Sequence, residues 1–480
     1  MRAKEENIAL AKNLADACVE IVELTQKLAQ SNKAHQKLTD KLCKNSGNSS
    51  KPSSTDGFNK PKPKSQRVKS GKKVGGQLGH KGSTLLMIKN PHKTEVYKVS
   101  ECVICGAICT KTSCKYERRQ VFDLVDNQRF VSEHRAEFWE CDKCNYVNKA
   151  SFPECVRAPI QYGPNLKGIV LYFYNRQIVP FQRTSELFAY LFKTKISVGT
   201  LVSIIKEASK KLEATDAIIK EAVIEAPVVN FDESGMQVNG VRHWVHVAVT
   251  NVVSYFMAHT RRGPEAMDEM GILPDYVGKA VHDHWKSYFT YTNCTHYLCN
   301  AHHLRELEFI HERYKHSWAK EMQELLREIK KAADNLMDAD ETSMPQEEKD
   351  RFDKRYMEIL AKGYLQDPAV IADPNKRKKQ GRVSQSKGRN LLDRLHNFKA
   401  SVLGFMHDFT VPFDNNQGER DIRMLKVQQK VSGSFRSEQG PRDYCRLMTY
   451  ISTIRKNSMD VIEALASIFS GKPILPPFLI

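Results

Sequence analysis

Two short apolar runs, each closed by an aspartate, constrain this chain more than any other feature. APVVNF leads into Asp232, and GKAVH leads into Asp283. Runs of this kind read as strands, and a buried strand rarely ends by chance in an unpaired acid. Between the two aspartates the pattern is that of a meander. Val238-Asn239-Gly240 supplies a hairpin turn. HWVHVAVT and VVSYFMAHT follow as two further strands, with a tight turn at Thr250–Asn251, and HYLCNAH gives a last strand after Asp283.

Three antiparallel strands followed by strands that return through helices is the order of a ribonuclease-H-like sheet. In that layout the strands ending in Asp232 and Asp283 are neighbours at the centre. A third acid, Glu419, opens a helix-like stretch, FDNNQGERDIR. Asn416, Glu419, Arg420 and Arg423 are spaced i, i+3, i+4, i+7 and share a face, which Lys426 and Lys430 continue. Three such carboxylates suit Mg²⁺ or Mn²⁺, which prefer hard oxygen ligands. Two ions about 4 Å apart activate the attacking oxygen and stabilise the leaving one in phosphodiester chemistry, and a released 3′ hydroxyl can attack again at the same site. Arg420 and Arg423 offer planar forks for phosphate oxygens.

The partner expected on charge grounds is a polyanion. The 480 residues carry 74 Lys and Arg against 56 Asp and Glu, a formal net charge of +18, which favours nucleic acid. The length predicts several domains. No apolar run is long enough to span a membrane, and MRAKEENIALAKN lacks the features of a secretory signal. These readings predict a cytoplasmic, bacterial-type, nucleoid-associated protein.

The first 44 residues carry a heptad seam, Leu10, Leu14, Ala17, Ile21, Leu24, Leu28, Ser31, His35, Leu38 and Leu42, weakened in the middle by its two polar members. The pattern predicts a parallel coiled coil and a homo-oligomer, against the alternative of one amphipathic helix lying on its own protein. Residues 45–95 are rich in Ser, Gly, Pro and Lys, with no acid between Gly57 and Thr94. They read as a cationic flexible linker whose lysines, Lys72 and Lys73 among them, follow phosphates without reading sequence.

Of the 12 cysteines, seven fall between Cys102 and Cys155. Cys102-x-x-Cys105 and Cys141-x-x-Cys144 offer four thiolates to a tetrahedral Zn²⁺ in a small ribbon spanning 96–157, although Cys109, Cys114 and Cys155 are further possible ligands. Residues 158–224 read as helical. RTSELFAYLF is followed by a break with Ser197 as N-cap and a second, basic helix. The pair fits a DNA-binding helix-turn-helix and ordinary helix packing equally.

At this point the residues resemble a known family. FDESGMQVNGVRHWVHVA, HDHWKSY, CNAHHLREL and DNNQGERDIRMLKVQQKVSGSFRS are similar to transposases of the insertion sequence 66 family. KNSGNSSKPSS, GKKVGGQLGHKG, the CxxC pairs, APIQYGPNLKG, IVPFQRTSEL and VIEALASIF extend the likeness over nearly the whole chain. The resemblance implies a DDE triad of Asp232, Asp283 and Glu419 that cleaves double-stranded DNA at terminal inverted repeats and joins it to target DNA. In some members accessory proteins from the same element take part. Ser234 stands where a threonine is usual, and it keeps the hydroxyl.

The expected fold class is therefore multidomain α+β: a ribonuclease-H-like mixed sheet in 225–300 and 412–436, interrupted by an all-helical insertion at 301–411. The N-terminal coiled coil and zinc ribbon precede it, and a helical segment at 437–480 ends it. NKRKKQGRVSQSKGR within the insertion is a candidate DNA contact or a solvated loop. Cys299, His302 and His303 invite a second zinc site, but histidines after a strand are more often structural, and the resemblance implies that this Cys-x-x-His orders the junction with the insertion. His282 and His284 should point away from Asp283 and stay out of its metal shell. Trp285 and Tyr288 are expected to pack rather than to stack on an unpaired base. The alternatives are a structure-selective nuclease of the same fold and a non-catalytic DNA-binding protein.

Overall fold

A computed structural model describes residues 2–45, 48–49, 89, 138–140, 147–149, 158, 160–371 and 383–479. The chain divides into two compact units. The elements below belong to the first unit, except residues 187–195 at and beyond the end of α3, which belong to the second. Cys102, Cys105, Cys141, Cys144, Lys72 and Lys73 lie outside the described residues, as does most of the basic tract at 375–389.

Helix α1, Arg2–Leu42, runs unbroken for 41 residues because neither proline nor glycine interrupts it. Its seam residues Leu14, Ile21, Leu24, Leu28, Leu38 and Leu42 stay exposed. Its last turn engages the rest of the chain: the buried Asp40 accepts from Arg313 at 3.2 Å and Tyr314 at 2.9 Å and pairs with Lys387 at 2.7 Å. Strands β1, Phe138–Glu140, and β2, Val147–Lys149, pair antiparallel. Helices α2, Pro164–Leu171, α3, Phe181–Leu191, α4, Val198–Lys211, and α5, Glu213–Ile224, follow. Ser197 caps α4, its hydroxyl accepting from the Thr200 N–H at 3.1 Å. Leu201, Ile204, Ile205 and Ala208 bury one face of α4.

A five-stranded mixed sheet follows in the order β5-β4-β3-β6-β7. Strands β3, Val228–Val238, β4, Val241–Val249, and β5, Ser254–His259, are antiparallel; β6, Lys279–His282, and β7, Thr295–Leu298, run parallel to β3. The β3–β4 turn is built by Asn239 (φ 49°) and Gly240 (φ 78°), two positive-φ residues whose twist matches that of the strands.

Side-chain alternation sorts the two faces. Val229, Phe231, Ala248 and Ala280 pack with Ile219 and Val223 of α5 and Met267 and Met270 of α6, Pro264–Met270. Met236, Val238, Val245, Val247 and Val249 pack with Ile422 and Leu425 of α12, Asn416–Ser432, and Tyr444, Cys445 and Met448 of α13, Gln439–Lys456. The sheet is thus the middle layer of three. Between β7 and α12 lie α7, Asn300–Tyr314, α8, Ser317–Asp338, α9, Gln346–Gln366, α10, Lys387–Asn397, and α11, Lys399–His407. They enclose a separate core centred on Trp318, Leu325, Leu326, Tyr356 and Leu392. Asp460 caps the short α14, Val461–Ser467. No described helix is long and apolar enough to cross a membrane.

Candidate active site

The sheet register positions the first two acids. Val229 pairs with Ala280 and Asn230 with Val281 in the parallel β3–β6 ladder. Continuing that register two places sets Asp283 beside Asp232. Asp232 has the parity of Asn230, Met236 and Val238, so its side chain is on the face covered by α12. Glu233, one place on, points to the other face.

The third acid arrives because α12 starts against β3. Asn415, 2% exposed, donates to the Phe231 carbonyl at 2.7 Å and accepts from Asn230 at 2.8 Å. Its backbone N–H reaches Cys299 Sγ at 3.1 Å. Gly418 permits the approach: a Cβ there would lie 3.3 Å from Asp232 Cβ. Glu419, in the first turn, faces α7, with one oxygen 3.6 Å from Arg305 and 3.8 Å from His302.

The electrostatics register the convergence. Burial holds the Asp232 carboxyl well above the usual carboxylate range, and the charges of Glu233, Glu419 and Asp283 push it further. Asp283 is raised to about 6, again by burial first and Glu233 next, while the Trp285 N–H at 2.8 Å and Arg262 act against the rise. The charges of Asp283 and Glu419 thus reach Asp232, although the three acids come from β3, the end of β6 and α12, and like charges brought together out of water favour the protonated form.

A brace behind the sheet was not legible beforehand. Glu233, its side chain 2% exposed, pairs with Arg262 and accepts from Tyr288 at 2.5 Å. Arg262 lies between Trp285, 4.2 Å from the ring centre, and Trp244, at 5.1 Å. The same Trp285 supplies the N–H that orients Asp283, so Arg262 steadies the second acid through it. Asn230, Asn415, Arg262 and Arg305 carry no local pattern that marks them. Their roles depend on contacts between distant segments.

The basic residues of α12, Arg423 and Lys430 among them, are all exposed but differ in their surroundings. Lys426 donates to the Gly235 carbonyl at 3.0 Å, and Arg420 donates to Gln417 at 2.6 Å and lines a pocket on the side away from α7. His282 stacks on Tyr288, ring centres 4.4 Å apart, and hydrogen-bonds His296 at 2.9 Å. His284 packs edge-on against Phe398. Among the described residues, the group with the spacing of a metal site is Cys299, His302 and Glu419, whose ligand atoms lie within 4.8 Å of one another. Burial pushes the Cys299 thiol up to about 12 and His302 down to about 3, and the Cys299 sulfur already accepts from Asn415.

Residues 159–443 match the Transposase IS66 family, and residues 3–85 match a family of unknown function, DUF6444. No curated protein matches the chain. A central mixed sheet with clustered acids fits a transposase, and the first match spans well over half of the 480 residues. The chain belongs to the IS66 transposase family. Membership makes it a transposase, with DNA as its partner and a divalent metal ion as the cofactor general to such enzymes.

Proposed function

We propose that this transposase binds the terminal inverted repeats of its insertion sequence, cleaves at the element ends and joins the 3′ ends to target DNA on a ribonuclease-H-like core. The single observation that carries the reading is that the charges of Asp283 and Glu419, from two other segments, both act to raise the buried carboxyl of Asp232. The donor set fits a hard divalent cation: all three side chains offer oxygen, and the raised Asp232 and Asp283 carboxyls mark a site where opposing charge would be bound favourably. Mg²⁺ or Mn²⁺ held by Asp232, Asp283 and Glu419 supplies Lewis-acid activation of the attacking oxygen and stabilisation of the leaving one, two ions sharing those tasks.

The chain's own groups prepare that site. The Asn230–Asn415 pair fixes the start of α12 over β3, the Trp285 N–H orients one Asp283 oxygen, and Arg305 and His302 hold Glu419. Because Arg305 already gives Glu419 a cationic neighbour, Cys299 and His302 are read as positioning this helix rather than as zinc ligands. Arg420, Arg423, Lys426 and Lys430, with Lys72 and Lys73 of the linker, are read as the phosphate contacts. Cys102, Cys105, Cys141 and Cys144 are read as a structural Zn²⁺ site. The uncovered leucine seam of α1 supports a homo-oligomer.

Strand transfer tests the reading. Full-length protein with Mg²⁺, a labelled duplex ending at the element's 3′ hydroxyl and a plasmid target is expected to yield covalently joined DNA. Hydrolysis without joined product would replace it with a structure-selective nuclease. The absence of both with DNA still bound would leave a DNA-binding protein.

A further inference from the structure

On the side of α12 away from α7, a small pocket opens between α12, α13 and the segment after α2. Its volume is about 50 Å³, enough for a few waters or one compact anion. Three arginines line it: Arg176, Arg420 and Arg455. Its one carboxylate, Asp421, is already engaged, pairing with Lys456 at 2.6 Å and accepting from Ser254 at 2.9 Å. None of the three arginines takes part in an ion pair among the described residues. Among the described residues, Arg176 hydrogen-bonds the Met424 sulfur, at 3.7 Å, and Arg420 hydrogen-bonds Gln417. Three cations gathered about one carboxylate that is already paired repel one another. Burial and the charge of Arg455 accordingly hold Arg176 below the usual guanidinium range.

The backbone that presents this pocket is also unusual. Tyr172–Arg176 forms a single turn of π-helix, a local form common at functional sites. Two residues on, the buried Ile178 has φ 56°, a left-handed conformation that β-branched residues rarely adopt. Asn175 is fully buried, donates to the Tyr444 carbonyl at 3.2 Å, and leaves its own oxygen without a partner. A strained, incompletely satisfied turn that sets an arginine beside two others is hard to explain by packing alone.

We infer that Arg176, Arg420 and Arg455 form a phosphate-binding pocket that grips a backbone phosphate of the bound DNA strand beside the reacting one. Arg420 adjoins Glu419 on α12, so the pocket and the acid cluster share one helix and one strand can engage both. Forked guanidiniums suit a phosphodiester better than point charges do. The inference rests on the transposase reading for its DNA ligand, while the phosphate chemistry stands on the pocket itself.

The test is duplex binding by the full chain in EDTA as a function of KCl, with a random-sequence duplex. Wild type is compared with the double variant Arg176→Gln, Arg455→Gln, with Arg455→Gln alone as the milder change, and with a charge-matched control, Lys331→Gln, Lys354→Gln. The pocket variant is expected to bind several-fold more weakly, uniformly across sequences, and its plot of log affinity against log salt is expected to flatten by about 1. The control should move neither as far. Binding by folded variants that tracks the control would overturn the inference, as would inorganic phosphate raising the melting temperature of wild type alone while duplex binding stays equal, which marks a free-anion site. Arginine-dependent binding without Mg²⁺-dependent cleavage by wild type would sink the catalytic reading and leave the pocket standing. Cleavage with arginine-independent binding would do the reverse.

Discussion

Asp283 carries a proton up to about pH 6 in the folded, metal-free protein, against an ordinary value of 3.8. Its folded pKa is raised, so the folded state binds more protons than the unfolded one between those values, and stability falls as pH rises through them. The gap in melting temperature between metal-free wild type and a variant lacking this carboxyl should therefore be wider at pH 7 than at pH 5, a comparison in which the buried histidines, whose lowered pKa values act the other way, cancel. Asp283→Asn, which still accepts from the Trp285 N–H, should raise the melting temperature at pH 7 by relieving a cost on the order of 2 kcal/mol, while abolishing cleavage. Metal binding runs the other way. Mn²⁺ must displace those protons, so its affinity should climb with pH through about 6, and calorimetry in buffers of different ionisation enthalpy should detect proton release. Arg262 acts to lower Asp283. Arg262→Gln should move the acid limb of the cleavage profile to higher pH, with raised pH restoring part of the rate; an unmoved limb would remove Arg262 from the site.

At the scale of elements, the outcome depends on how closely α12 meets β3. Gly418→Ala places a Cβ 3.3 Å from Asp232 Cβ, so α12 must shift by a few tenths of an ångström. Cleavage should fall by an order of magnitude or more, since small misplacements of reacting groups are expensive, with only a modest loss of melting temperature. Asn415→Ala strands the Asn230 amide and should cost about 1–3 kcal/mol by chemical denaturation. The strands and their turns were legible in the sequence because alternation and the Asn239-Gly240 pair are local signals. The β3–β6 register followed from where the two apolar runs end. The face of α12 was only half legible. Helical spacing groups Glu419 with Arg420, but α7 takes one and the arginine pocket the other, a division decided by neighbours on other elements, from Arg176 and Arg305 to Arg455. The Asn230–Asn415 clamp and the Arg262 brace were invisible for the same reason.

At the scale of the whole molecule, the formal charge of +18 and the arginines flanking the acid cluster bear on DNA affinity more than on fold. The seam of α1 is uncovered from Leu14 to Leu42, yet Asp40 is clamped by Arg313, Tyr314 and Lys387. Light scattering should find the full chain as a dimer and a variant lacking residues 2–42 as a smaller species; a monomeric full chain would leave α1 an isolated helix. The most direct test of the central claim is Asp232→Asn assayed on a duplex carrying the element end, with Mg²⁺ and with EDTA. Binding in EDTA equal to wild type, together with complete loss of Mg²⁺-dependent cleavage, is the predicted result. Cleavage at the wild-type rate by the folded variant would contradict it.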